Sequence, residues 1–265
     1  MTSSESVTFH VHDGIAQITL NRPEVSNALD PRAVRTLLDI ASACEVDPTV
    51  RVVLLRGSGR TFCAGGDTGC FLKELESGTI QAFSRLIAAD FHLAISRLLR
   101  LDAPLIVAVQ GAAFGAGLSL VCAADLVVAA DDVRLCAGYP ALGLTMDGGL
   151  SYFLPRIVGR RRALELALTN RVLRAPEALA LGLVTEVVTG AELDKRAEEL
   201  AAQLAAGPTR AYGDIKRLLD DGWQQTLETQ LEREARALFA AFGSRDGREG
   251  IAAFAAKRAP VFIGS

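Results

Sequence analysis

The twenty-two residues 103–124 contain no Asp, Glu, Lys, Arg or His. A run that long without charge belongs in a bilayer or in a protein core. Pro104, Gln110, Ser119 and three glycines interrupt it, and no basic cluster flanks it closely. Bilayer spans carry such flanks. The run therefore reads as a buried strand over 105–109, a glycine-rich turn, and a buried helix near 115–124.

A chain of 265 residues can enclose a core around such a segment. Residues 7–20 read as two alternating strands about Asp13-Gly14, a hairpin signal. Asp30-Pro31 opens a helix, with Asp30 as N-cap and Pro31 in the first turn. Val34, Leu37, Leu38 and Ala41 form its apolar face. Residues 50–55 suit a strand covered on both sides, and a loop is expected over 57–70. A helix follows over 80–99, then short strands at 126–129 and 133–136. Beyond Gly148 the pattern is mostly helical, apart from a strand at 184–188. Asp147 stands just before that helical region, where it is positioned to cap a helix. The expected organisation is α/β, with a core over 1–195 and a helical C-terminal region over 196–265. Strand–strand–helix units recur without an exact sequence repeat.

Twenty-eight Lys and Arg balance thirty-one Asp and Glu, for a net charge of −3. With no basic block, nucleic acid is not an expected partner. The mean hydropathy of +0.27 hints at apolar surface buried between subunits. Five cysteines are odd in number and lack metal-site spacing, and HExxH is absent, so no metal is expected. Free thiols suit a reducing cytoplasm. The opening MTSSESVTFH lacks a basic start and an apolar run, so no signal peptide is expected. The GxGxxG, GxxxxGK[ST] and GxSxG signatures are also absent.

Two loops share a design. One runs from Phe62 through Ala64, Gly65 and Gly66 to Asp67; the other spans 111–117 and enters a helix. Small residues let backbone approach a ligand, and first-turn amides of a helix have no internal partner. Such loops can present two N–H groups to a developing oxyanion. They can equally serve only tight turns and close helix–sheet packing.

Ile18-Thr-Leu-Asn-Arg-Pro23 with Asn27-Ala28-Leu29, then Phe62-Cys-Ala-Gly-Gly-Asp67, then residues 104–125, resemble the crotonase (enoyl-CoA hydratase/isomerase) superfamily. Leu142-Gly-Leu144, Leu154-Pro-Arg156 and Ala180-Leu-Gly-Leu-Val184 continue the likeness. So does the tail with Asp246, Glu249, Gly250, Ala253, Phe254, Lys257, Arg258, Pro260 and Phe262. The likeness covers nearly the whole chain. It implies a spiral of ββα units with a helical C-terminal trimerisation region, assembled as a homotrimer or a dimer of trimers. It also implies an acyl-CoA thioester substrate, with coenzyme A entering as part of the substrate and no separate cofactor.

Carried over residue by residue, the likeness puts oxyanion donors at the N–H groups of Gly66 and Ala116. The family often has glycine in place of Ala116. Substrate contacts would come from Glu24, Val25, Ser26, Ala28, Ala64, Gly65 and Asp67, and from Phe254 and Lys257, with a neighbouring subunit as one source of the last two. A solvated surface role suits Lys257 as well.

The acid/base positions depart from the hydratase pattern. Where hydratases of this family place two glutamates, this chain has Ser119 and Tyr139. Neither replaces a carboxylate as a base near neutral pH. Asp147 lies in a segment similar to that in which several enoyl-CoA isomerases place a catalytic aspartate. The expected activity is an enoyl-CoA isomerase using Asp147, with capping as that residue's other role. Hydration with non-standard groups and a non-catalytic acyl-CoA binder are the alternatives. Ser119 and Tyr139 orient substrate or water, or simply pack. Cys63 and Cys136 are candidates to line the pocket, His92 is expected to be structural, and Trp223 is expected at a subunit interface.

Overall fold

A computed structural model describes residues 5–265; the first four residues, where the segment read as lacking a signal peptide begins, lie outside the described residues. The hairpin forms as expected. Strands β1 (Val7–His12) and β2 (Ile15–Leu20) pair antiparallel. Asp13 and Gly14 both take positive φ, at 49° and 78°, which matches the right-handed twist of the flanking strands. Helix α1 (Pro31–Val46) starts at Asp30, whose carboxylate accepts the Ala33 amide at 2.7 Å. Its buried face includes Val34, Leu37, Leu38 and Ala41.

The chain continues through β3 (Val52–Gly57), α2 (Thr68–Glu76), α3 (Ile80–Arg100), β4 (Leu105–Val109), β5 (Ala112–Phe114) and α4 (Ala116–Ala123). Then come β6 (Leu126–Ala130), β7 (Arg134–Cys136), α5 (Leu150–Val158), α6 (Arg160–Thr169), β8 (Leu173–Arg174), α7 (Ala175–Ala180) and β9 (Glu186–Val188). Helices α8 (Leu193–Ala205), α9 (Thr209–Gly222), α10 (Leu227–Gly243) and α11 (Arg245–Ala255) complete it. The uncharged stretch supplies β4, β5 and α4, and every residue of β4 and α4 is buried. No helix among the described residues is long and apolar enough to cross a membrane.

Six strands form the main sheet in the order β1-β2-β3-β4-β6-β9, parallel from β2 onward. Strands β5, β7 and β8 form a second, smaller sheet. Residues of β3 alternate between two cores. Val53 and Leu55 join the large core with α1, α3 and α4, while Val52 and Leu54 meet Leu193, Ala197 and Ala201 of α8. The boundary expected between 195 and 196 thus falls inside α8, a helix that covers the back of the main sheet. Helix α9 follows, and its Lys216 donates to the Leu101 and Ala103 carbonyls just before β4.

Three elements differ from the expectation. Helix α2 occupies the end of the segment read as a loop, because Asp67 caps it by accepting the amides of Gly69 and Cys70. Strands β5 and β8 span three and two residues, too short for a periodic signal. Asp147 is not a helix cap. The residue before α5 is Gly149, with φ 77° and no side-chain cap.

Candidate active site

Three backbone hydrogen bonds join the two glycine-containing loops: Phe62 N to Gln110 O, Cys63 N to Ala112 O, and Phe114 N to Cys63 O, at 3.0–3.1 Å. Gly117 makes this join possible. A Cβ there would press into the Cys63 carbonyl and lie 2.9 Å from Cys63 Cβ. At Gly115 φ is 52° and ψ −120°, a conformation open to glycine. A Cβ on Gly115 would lie 3.8 Å from Gly65 Cα, and one on Gly65 would lie 3.7 Å from Ala116 N. Gly66 and Ala116 are thereby brought to adjoining turns. Among the described residues neither N–H donates a hydrogen bond within the chain, and the Ala116 amide opens α4. Two such donors can hold an anionic oxygen.

Ser119 lies one turn along α4 from Ala116, and it ties Asp147, in the loop before α5, to that helix. The Tyr139 hydroxyl donates to Asp147 Oδ1 at 2.6 Å, and the Ser119 hydroxyl donates to the Asp147 carbonyl at 3.0 Å. The two hydroxyls are 3.3 Å apart. Burial pushes the Tyr139 phenol well above its ordinary value, and the charge of Asp147 adds to the shift. Tyr139 therefore keeps its proton at neutral pH: it donates a hydrogen bond but is neither a base nor a ready acid. Its ring lies 3.9 Å from the point where a Gly115 side chain would begin. Ser119 is completely buried. No second Asp or Glu enters this network among the described residues. Phe71 covers Gly66, with its Cζ 2.6 Å from the position a Cβ would take, and meets Phe83 edge-on.

Residues 24–28 sit beside 64–66. The Ala64 amide donates to Ser26 O at 3.0 Å, and Leu29 N donates to Gly65 O at 2.8 Å. Asn27, missed by the sequence reading, pins this junction. It is 1% exposed, accepts from Arg22 N and donates to Ser58 O and Thr61 O. Glu24 and Val25 form a 3-10 turn, and the Ala28 carbonyl accepts from Arg22 Nη1. Asp67 is engaged inside the chain: besides capping α2 it pairs with Arg22 at 3.0 Å. The Asp-Thr-Gly start of an amphipathic run was the signal for this cap. Phe254, 88% exposed, and Lys257, at φ 52°, lie at the end of α11, which packs on α10. No hydrogen bond or ion pair joins their side chains to the loops among the described residues.

Cys63 lies buried under Gly117, and the Cys136 thiol donates to Asn170. Burial raises both thiols, that of Cys63 to about 12, so neither is a nucleophile at neutral pH. Cys122 is likewise pushed to about 12 and Cys44 to about 11 by burial. An unfolded thiol ionises near pH 8.5. Above that value the unfolded chain releases protons that the folded chain still holds, so stability falls as pH rises from about 9 toward 12. The fully buried thiols of Cys63 and Cys122 each contribute up to about 1.4 kcal/mol per pH unit. Urea midpoints should fall steadily across that window; a flat midpoint would contradict the burial of these thiols.

His92 proves to be attached to the site. Its Nε2 accepts the Gly148 amide at 3.1 Å. Nothing local in the sequence signals this contact, which spans 56 positions.

The chain matches the family model described as "Enoyl-CoA hydratase/isomerase" over residues 10–265. It is 37% identical over 260 residues to a 1,2-epoxyphenylacetyl-CoA isomerase of Escherichia coli, covering 98% of this chain and 99% of that protein. It is 36% identical to 4-chlorobenzoyl coenzyme A dehalogenase-2 of an Arthrobacter species, covering 96% and 92%. A crystal structure of an enoyl-CoA hydratase from a Polaromonas species superposes with a TM-score of 0.91 at 33% identity, covering 97% and 99% of the two chains.

Proposed function

Since the chain belongs to the enoyl-CoA hydratase/isomerase family and has the crotonase fold, we propose that it is an acyl-CoA enzyme that moves a double bond with Asp147 as its single acid/base. The Asp147 carboxylate takes a proton from C2 of a 3-enoyl-CoA. Charge develops on the thioester oxygen, which the Gly66 and Ala116 amides receive. The double bond shifts, and Asp147 returns the proton to C4, giving the conjugated 2-enoyl-CoA. Coenzyme A belongs to the substrate, and no other cofactor is needed.

The observation that carries this reading is the lone carboxylate. Asp147 is fixed by Tyr139 and by Ser119, the latter one turn from Ala116 on α4, with no acidic partner in the network among the described residues. An allylic shift needs one proton carrier. The two-carboxylate route to hydration needs two, and a raised tyrosine does not serve as the second.

Incubation with a 3-enoyl-CoA should yield the 2-enoyl-CoA, seen by its conjugated absorbance and by mass spectrometry. Formation of 3-hydroxyacyl-CoA from crotonyl-CoA, with no isomerisation, would replace the proposal by hydration. Tight CoA-ester binding with no turnover would replace it by the non-catalytic reading. Chloride release from 4-chlorobenzoyl-CoA would favour the reaction for which the Arthrobacter relative is named.

We further propose a homo-oligomer built through α9–α11. Helix α10 has no buried residue, and Leu219, Trp223, Leu231, Phe239 and Phe242 are exposed. Light scattering should read three or six protomer masses; a monomer would contradict this.

A further inference from the structure

We propose that His92 is the positioning residue for Asp147, acting through the Gly148 amide; this rests on the acid/base reading of Asp147. The argument starts from the backbone around the carboxylate. Gly148 and Gly149 follow Asp147, and both have positive φ, at 59° and 77°. Two consecutive glycines give this corner more conformational freedom than any other pair would. The corner is then fixed by what it touches. A Cβ on Gly148 would lie 2.5 Å from Phe91 Cε1 and 2.8 Å from Ser119 Cβ, so the glycine is wedged between α3 and α4.

Three side chains hold this corner by hydrogen bonds. Tyr139 holds the carboxylate at Oδ1, and Ser119 holds the Asp147 carbonyl. His92 holds the next amide, N–H of Gly148, at 3.1 Å. Only the His92 bond comes from α3, which packs against α1 and so carries the register of the core to the loop. Tyr139 and Ser119 are themselves coupled at 3.3 Å, while His92 is independent of them. Its Nε2 is the acceptor in this bond. Loss of that acceptor frees the peptide joining Asp147 to Gly148. Rotation of this peptide tilts the carboxylate relative to the Gly66 and Ala116 amides. Displacement of a catalytic group by about 1 Å costs on the order of 100-fold in rate.

The test compares His92→Leu, which removes the acceptor, with His92→Gln, whose Oε1 can accept in a similar place. For isomerisation, His92→Leu is expected to lower kcat by about 10- to 100-fold with KM within about twofold. His92→Gln is expected to recover most of that loss. Glycine-selective ¹⁵N labelling gives a readout that does not depend on turnover. Gly148 amide exchange should speed up about fivefold or more in His92→Leu and much less in His92→Gln. Unchanged kcat and exchange in His92→Leu would overturn the proposal, as would equal losses in both variants. The acid/base reading fails separately, if Asp147→Asn retains activity; Gly148 exchange still decides the role of His92 in that case.

Discussion

Asp147→Asn should lower kcat for the conversion of 3-enoyl-CoA to 2-enoyl-CoA by about 10³-fold, the range that one positioned acid/base contributes. The amide keeps the shape of the side chain, and its oxygen can still accept from Tyr139, which now donates at 2.6 Å. Binding of the CoA ester should therefore survive, with KM changed little. Thermal unfolding should shift by only a few degrees, because the carboxylate caps no helix and takes part in no ion pair among the described residues. The predicted pattern is a catalytic loss without a folding loss. Activity within tenfold of the parent protein would remove Asp147 from the chemistry. The oxyanion proposal would then need another proton carrier.

Ala116→Pro should reduce kcat by about 10²- to 10³-fold, equivalent to about 2.7–4 kcal/mol of transition-state stabilisation. Proline deletes one of the two donor N–H groups, and the position tolerates it. Ala116 is the first residue of α4, where proline fits a helix well. The preceding Gly115, at φ 52° and ψ −120°, sits in the mirror image of the extended backbone that a residue before proline favours, which glycine adopts freely. The helix should form, and circular dichroism should match the parent protein. If the variant keeps kcat within tenfold, the Ala116 amide does not carry charge in the transition state.

The local signals in the sequence were legible because each acts over a few residues. Asp13-Gly14 fixed a hairpin, Asp30-Pro31 a helix start, and the uncharged run a buried strand and helix. The two loops were readable as a pair, since small residues after apolar strands have few uses. Asp147, Ser119 and Tyr139 could each be singled out, but the bonds between them could not. Tyr139 reaches Asp147 through the 3-10 turn Tyr139–Leu142 and the loop after it, a path no periodicity describes. Asn27 was quoted only as part of a motif. Its three bonds reach Arg22, Ser58 and Thr61, and only folding brings those together. His92 is an exposed residue of an ordinary amphipathic helix. Its single polar contact among the described residues lies 56 residues away, and no pattern within α3 distinguishes it from a packing histidine.

The Gly66 and Ala116 donors belong to the main chain, which gives this scaffold an unusual route to divergence. No exchange of side chains at positions 66 and 116, short of proline, can delete them. Nearby replacements can only shift them, and the Gly117–Cys63 contact resists that shift. On the proposed mechanism, inherited variation that changes the product falls instead on the side chains around the reacting carbon. Ser119, Tyr139 and Asp147 form one bonded group, so a change at any one of them alters the hydrogen bonds of the other two.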